Sequence, residues 1–536
     1  MENKKRFASI IEQAQSGLDT QMPYFITYWS AYNALLESDV AEYLKANGKS
    51  HLPVHYIMNK IQRIRADFVE GYFTNKQFAK ISEKPTLRGS YYNPRLNKFV
   101  PVIKNTKDII NALQNAVDYY TLEHNDFRLY EKLTQCFDHL TPYGTAALKI
   151  SWNFNRNGLD LENIEVKDIM YDKKSNDFYD SKYVVHNIYL TREDIETNVN
   201  SGIFDSNFDI DKIGVNSNDA SDKFKRHKLQ EVYELKNGKW VVSTIYEKNI
   251  ILREEKELPL GNPFVVGKLK NKLHNPQNDD DIVKVYGDSI IAPLVSIQRE
   301  MTVLRNQQID IVNRQLNPRY MSNDNSLNPF DFTNQNIQLI QGDPNKVKEL
   351  KTPDLRDSNF NVDRLSTEGQ EAIGVTDYNS GTSNNKQLND TATGISILTT
   401  ESNKILAYYM RACNESLIKP LFKKIADLVW TYGDAKFFYG LDRTEELEYQ
   451  VGVNVGFGAT NPQQQLNSKN SAYQGMLNLA QLKQDPIALE NAEKFYYKEI
   501  LPLLGVENYE EYLNEQTEQN RVLQQNAGEL SMGRTN

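Results

Sequence analysis

Asp288-Ser-Ile-Ile-Ala-Pro-Leu-Val-Ser-Ile-Gln-Arg-Glu-Met-Thr-Val-Leu-Arg-Asn-Gln-Gln-Ile-Asp-Ile-Val-Asn-Arg-Gln-Leu316 carries apolar side chains at Ile290, Leu294, Ile297, Met301, Leu304, Ile311 and Leu316. These positions form one stripe of an α-helix, with Arg299, Glu300, Arg305, Asp310 and Arg314 between them. At 1.5 Å per residue the rod would be about 40 Å long. Gln308 and Gln315 interrupt the stripe, which suits a wet or inter-subunit surface. By pattern alone the same stripe fits a buried bundle helix equally well. The lateral reading assigns Ile290, Leu294, Ile297, Met301 and Leu304 to a contact with a neighbouring copy in a ring.

Downstream, Pro318 ends the rod. Asn317–Asp357 is rich in Pro, Asn and Asp and holds a strand-like piece at Ile337–Ile340, so a compact excursion is expected. Helical spacing returns over Phe360–Ile373, closed by Gly374. Thr376–Leu388 is a polar loop with no packing signal. Asn389 or Asp390 then caps a long helix, Thr391–Tyr432, which Pro420 is expected to kink and Gly433 to end. Lys436–Tyr439 and Glu448–Val455 read as paired strands. Pro462–Asn536 reads as helical and rich in Gln and Asn, with a polar tail after Leu513.

Upstream, the first ~130 residues read as mainly helical, with clear periodicity at Val54–Phe73 and Ile109–Leu122 and breaks at Gly48 and Pro53. From Gly144 the period changes to that of a sheet, in Ala146–Trp152 and Lys182–Tyr189. Leu229–Leu235 and Trp240–Ile245 flank Asn237-Gly238, the sequence of a type I′ hairpin. Short strands at Ile250–Leu252 and Phe264–Val266 would complete a small sheet, ending near Asn275–Asp281.

The chain has 536 residues, enough for two or three domains, with 39% hydrophobic and 25% charged residues, the make-up of a folded protein. No run of eighteen apolar residues and no signal-peptide h-region is present, so no membrane partner is expected. Its two cysteines, Cys136 and Cys413, stand far apart, which fits synthesis in a reducing cytoplasm. A formal charge of −9 argues against a surface that grips duplex DNA through its backbone. It is compatible with a passage through which DNA slides.

The chemistry-bearing motifs are absent or incomplete. There is no phosphate-binding loop of the Gly-x4-Gly-Lys-Ser/Thr type, no His-Glu-x-x-His and no Gly-x-Ser-x-Gly. Val451–Asn461 imitates a dinucleotide fingerprint but has Asn461 at the third glycine position, followed by Pro462. His51 and His55 are separated by Pro53, and Asp279–Asp281 lacks the calcium-loop pattern. No catalytic residue, metal site or cofactor is expected.

Taken in order, these elements resemble the portal proteins of tailed bacteriophages, more narrowly the short-tailed type and the crAss-like phages. The resemblance runs from about residue 25 to about residue 460. It is carried by Pro142–Trp152, similar to a glycine-led strand of the family, and by Ile164–Asp172 and Leu190–Ile195. Asn389-Asp-Thr-Ala-Thr-Gly-Ile395 resembles the start of the family's long helix. The resemblance implies an α+β portal fold with a helical stem, an α/β wing, a small β-containing clip and a helical C-terminal crown. On this chain it places the wing at 1–287, stem helices at 288–316 and 360–374, and the clip at 317–359. The tunnel loop falls at 375–390, the kinked helix with a wing hairpin at 391–461, and the crown and tail at 462–536.

The tunnel-loop residues facing DNA would be Asn379, Ser380, Gly381, Thr382, Ser383, Asn384, Asn385 and Lys386. The resemblance further implies a homo-oligomeric ring, a dodecamer in the virion, at one capsid vertex. Its partners would be the double-stranded DNA in the channel, the terminase, the major capsid protein and head-tail adaptor or tail proteins. Alternatives left open by the residues are another ring-forming head-tail adaptor or tail protein and, with no motif in its favour, an acidic hydrolase.

Overall fold

The computed structural model describes residues 2–73, 79–83, 90–93, 98–101, 106–123, 127–205, 225–247, 250–273, 283–316, 320–322, 347–349, 356–374, 404–439, 449–453, 462–483 and 486–501, with single positions 330, 345, 441 and 504. The expected strand at Ile337–Ile340, the Asp279–Asp281 turn, the tunnel loop and the Asn389–Ile395 motif lie outside the described residues. Internal contacts divide the chain into one unit of residues 1–69 and 77–454 and a second of residues 70–76 and 455–536.

The first unit opens with helices, as the periodicity predicts. These are α1 (Glu2–Tyr32), α2 (Ser38–Ala46), α3 (Tyr56–Phe73), α4 (Thr106–Asp118) and α5 (Leu129–Tyr143). Short strands β1 (Ala79–Glu83), β2 (Ser90–Asn93) and β3 (Lys98–Pro101) lie between α3 and α4. Arg65 ties this helical layer together: its guanidinium donates to Tyr32 on α1 and to Thr141 and the Asp138 carbonyl on α5.

Two antiparallel sheets follow. Strands β4 (Thr145–Asn153), β5 (Gly158–Ile164), β6 (Ile169–Tyr171) and β7 (Tyr183–Thr191) come first, then α6 (Arg192–Asn200). α6 begins with a capping box between Thr191 and Asp194. Next are β8 (Arg226–Lys236), β9 (Lys239–Tyr246), β10 (Ile250–Leu258) and β11 (Phe264–Lys268). The larger sheet has the order β10-β9-β8-β7-β6 and the smaller β11-β4-β5. The β8–β9 hairpin turns through Asn237 and Gly238, both at positive φ, as expected of Asn-Gly. One expectation is corrected: β11 leaves the hairpin sheet and pairs with β4 instead, because Pro263 and the turn at Gly261 redirect the chain.

Helix α7 spans Leu294–Leu316, six residues shorter at its start than expected, since Pro293 fits only the first turn of a helix. β12 (Tyr320–Ser322) pairs antiparallel with β13 (Val347–Glu349), and α8 (Arg356–Ile373) follows. A helix over 404–413, α9, passes through a π-turn at Asn414–Ile418 into α10 (Lys419–Tyr432). The irregularity expected at Pro420 is thus met one turn earlier: the Lys419 N–H reaches back to the Asn414 carbonyl, and Pro420 opens the next helix.

The expected hairpin after α10 does not form. Residues Ala435–Phe438 make a 3₁₀ turn capped by Asp434, and Phe437 and Phe438 pack on Tyr119 and Trp430. β14 (Tyr449–Val453) pairs instead with β1, Ile81 opposite Val451.

The second unit contains α11 (Pro462–Lys483) and α12 (Pro486–Phe495), ending in a π-turn at Tyr496–Ile500. Tyr473 stacks near Tyr496 at 5.0 Å, and Ala480, Ala492 and Ile500 are buried. The helical expectation for this region holds over these residues. No helix among the described residues is long and apolar enough to cross a membrane.

Candidate functional site

The α7–α8 pair is antiparallel. Gln308, in the last third of α7, donates from Nε2 to Ser358 and Asn359 in the first turn of α8, both at 3.1 Å. Tyr56, next to Ile57 whose N–H bonds Gln298 near the start of α7, donates to the Ser366 carbonyl farther along α8. The two helices therefore run side by side, and the β12–β13 ladder lies between them in chain order.

The predicted contact stripe sits elsewhere than expected. Ile290, Leu294, Ile297 and Met301 are between 0% and 7% exposed inside the single chain, and Leu304 is half-buried. They pack against this chain's own helices, because α1 and the segment leading into α3 lie on that face.

A second stripe, of polar residues, lies one turn apart on the same helix: Gln298, Thr302, Asn306 and Asp310. Asp310 Oδ1 accepts from Ser50 N at 3.0 Å. Asn306 accepts from Leu52 N at 2.8 Å and donates to Leu52 O at 2.9 Å. Gln298 accepts from Ile57 N at 2.8 Å and donates to Ala31 O at 2.7 Å. Residues 50–55 have no sheet partner and the first turn of α3 has no intrahelical acceptor for its N–H groups, so these side chains supply that backbone with hydrogen bonds. Periodicity missed this role, although the four-residue recurrence of Gln, Thr, Asn and Asp is visible in the sequence.

Around this seam several large apolar side chains are exposed. Ile26, Trp29, Leu35, Tyr43, Leu52 and Val303 are 51–61% exposed. They sit on elements joined by the Arg299–Glu37 ion pair at 2.6 Å, by Gln298 to Ala31 and by Asn306 to Leu52. α1 thus presents two faces: Phe25 and Tyr28 are buried, while Ile26 and Trp29, one position along, face outward.

The passage from the sheets into α7 is a tight crossing. Gly144 adopts φ +71° and closes α5; a Cβ there would collide with the Asp288 carbonyl. Gly287 N donates to Thr145 Oγ1 at 2.6 Å, Asp288 N to the Lys270 carbonyl at 2.7 Å, and Lys270 pairs with Asp288 at 3.1 Å. Burial, with Asp288 and Tyr24 nearby, pushes the Tyr28 hydroxyl up to about 12.

A buried charge cluster joins the two sheets. Glu231 on β8 meets Lys149 of β4 at 2.7 Å, Arg253 of β10 at 3.1 Å and the Tyr233 hydroxyl at 2.8 Å, and His186 Nδ1 stands 3.5 Å away. Burial opposes the charge on Glu231, yet Lys149, His186 and Arg253 outweigh it and hold the carboxyl well below the ordinary range. The group is packed under Phe264, and its geometry is that of a bolt between sheets.

Cys136 and Cys413 are buried and form no disulfide. Among the described residues no group of three or more His, Cys, Asp or Glu side chains could hold a metal ion. Asn379–Lys386, the residues expected to face DNA, lie outside the described residues.

Residues 281–532 match a family model described as phage SU10 portal protein. That segment takes in α7, the β12–β13 ladder, α8, the broken α9–α10 helix and helices α11 and α12, and the match supports a phage portal protein. A search of curated proteins finds no match.

Proposed function

We propose that this chain is a portal subunit, a structural rather than catalytic protein that assembles with copies of itself into a ring at the capsid vertex of a tailed phage. The observation that carries the reading is the antiparallel α7–α8 pair bridged by the β12–β13 ladder, located within the segment that matches the portal family model. In this reading residues 288–316 and 360–374 form the stem, residues 317–359 the clip and residues 1–287 the wing. The loop containing Asn379–Lys386 faces DNA, and the helices after residue 461 form the crown. A dodecamer, a crAss-like origin, terminase docking during packaging and adaptor or tail binding afterwards complete the proposal.

The lateral contact belongs to the exposed flank of Ile26, Trp29, Leu35, Tyr43, Leu52 and Val303, not to the stripe that the chain has already buried. Half-exposed side chains of this number approach the several hundred Å² at which an apolar patch marks an interaction site. Ring closure needs such a surface to meet a different one on the neighbour. Electron microscopy of the purified chain tests the reading: rings with a central pore are expected, and discrete monomers at high protein concentration would refute it. Deleting Gly381–Lys386 should leave ring assembly intact and reduce DNA retention. Normal packaging and retention by that variant would remove the loop's assigned role.

A further inference from the structure

A cleft of about 180 Å³ opens between the end of β4, the turn joining β10 to β11 and one face of α10. Its walls are aromatic and aliphatic: Trp152, Phe154, Leu260, Pro263, Leu428 and Tyr432. Tyr432 stands between the other two rings, 5.3 Å from Phe154 edge to face and 6.1 Å from Trp152. Phe154 is 72% exposed, an unusual setting for a phenylalanine at the lip of an otherwise buried aromatic group. An apolar cavity of about 150 Å³ takes up a benzene ring, so this one admits a single aromatic side chain. Edge-to-face neighbours are already positioned around it.

The floor is polar and carries one ammonium and one carboxylate, Lys424 and Asp427. The Lys424 ammonium donates to the Asn262 carbonyl, which leaves two of its three N–H groups for another acceptor. Burial lowers its pKa to about 8, against the pull of Asp427 and with Lys423 adding to the effect. Asp427 is itself engaged: its Oδ1 lies 2.6 Å from the Tyr449 hydroxyl, and burial pushes its carboxyl up. The nearest carboxylate is thus partly satisfied by a neutral donor, and the amine beside it is not neutralised by a close ion pair among the described residues.

We propose that this cleft is a docking pocket for a peptide segment of a partner protein that presents one aromatic side chain next to a carboxylate. The ring enters between Phe154, Tyr432 and Leu428, and the carboxylate reaches Lys424. The reading is independent of the ring assembly proposed above. The unused N–H groups of the Lys424 ammonium select a carboxylate acceptor beside the ring, and the volume limits the insertion to one ring.

The probe is the peptide acetyl-Glu-Phe-Glu-amide carrying 4-fluorophenylalanine, titrated with the full chain and followed by ¹⁹F line broadening. Saturable binding is expected, and the control peptides should separate the two contributions: Glu-Ala-Glu should not compete, and Gln-Phe-Gln should compete more weakly. Leu428→Trp, which fills the cleft, and Phe154→Ala, at an exposed position that leaves the core intact, should each weaken binding about tenfold. Lys424→Met should weaken it by a smaller factor. Wild-type affinity should fall from pH 7 to pH 9 as the lysine loses its proton, and this fall should be absent in Lys424→Met. Absence of saturable binding, equal competition by Glu-Ala-Glu, or unchanged affinity in both Leu428→Trp and Phe154→Ala would overturn the assignment.

Discussion

Asn306 and Leu52 exchange two hydrogen bonds across 254 residues of sequence, the amide side chain of one matching both backbone groups of the other. Asparagine is suited to this because it offers a donor and an acceptor side by side. Asn306→Leu keeps the volume and removes both partners, and should destabilise the chain by about 2 kcal/mol through the unpaired backbone groups. Urea unfolding measures the loss. Hydrogen exchange at the Leu52 amide should accelerate in the variant while amides in β8 stay protected.

Gly144 and Gly48 both adopt positive φ, but only Gly144 faces backbone atoms where a side chain would be, and nothing lies within 4 Å of a Cβ at Gly48. Gly48→Ala should therefore cost only about 1 kcal/mol, the local penalty of the left-handed conformation. Gly144→Ala adds a collision with Asp288 and should lose at least about 3 kcal/mol. Thermal unfolding of the two variants side by side provides the comparison.

Removing the charge of Glu231 would strand Lys149 and Arg253 in the interior, so Glu231→Gln should cost about 3 kcal/mol. The pH dependence follows from the direction of its shift. The carboxyl titrates lower in the folded chain than in the unfolded one. Its stabilisation is therefore complete above the ordinary carboxylate range near pH 4 and is lost as pH falls from there toward the folded value. Wild type should show an acid-induced drop in unfolding free energy in that window, and Glu231→Gln should show a smaller one.

Two variants on α7 and α1 separate the buried stripe from the exposed flank. Leu294→Ala should cost about 3 kcal/mol of subunit stability because Leu294 is fully buried. Trp29→Ser combined with Val303→Glu should leave the unfolding midpoint within a few degrees of wild type while shifting sedimentation velocity from ring to subunit. If the double variant assembles normally, the flank is not the lateral contact.

The helical blocks and the Asn237-Gly238 hairpin were legible because each depends on neighbours within a few positions. Periodicity located α7 but could not say what covers it: the stripe of Ile290, Leu294, Ile297 and Met301 faces α1 and the segment leading into α3, more than 230 residues away in sequence. β14 was recognised as a strand and given the wrong partner, since pairing with β1 is a long-range choice that local pattern does not encode. The 3₁₀ turn at Ala435–Phe438 arose from the same limit, its aromatic residues being drawn onto Tyr119 and Trp430 rather than into a ladder. Glu231 and the Lys424 cleft left no trace in spacing, because their members come from separate strands and a distant helix.

The seam on α7 also sets the order in which this polypeptide can mature on the ribosome. Ser50, Leu52 and Ile57 wait for acceptors and donors translated 260, 254 and 241 residues later. At synthesis rates of about 5–20 residues per second, that is a delay of roughly 12–50 seconds. During this interval the amino-terminal helices expose the surface that Leu294 and Met301 will cover, which makes the nascent chain a natural client for chaperones until α7 emerges.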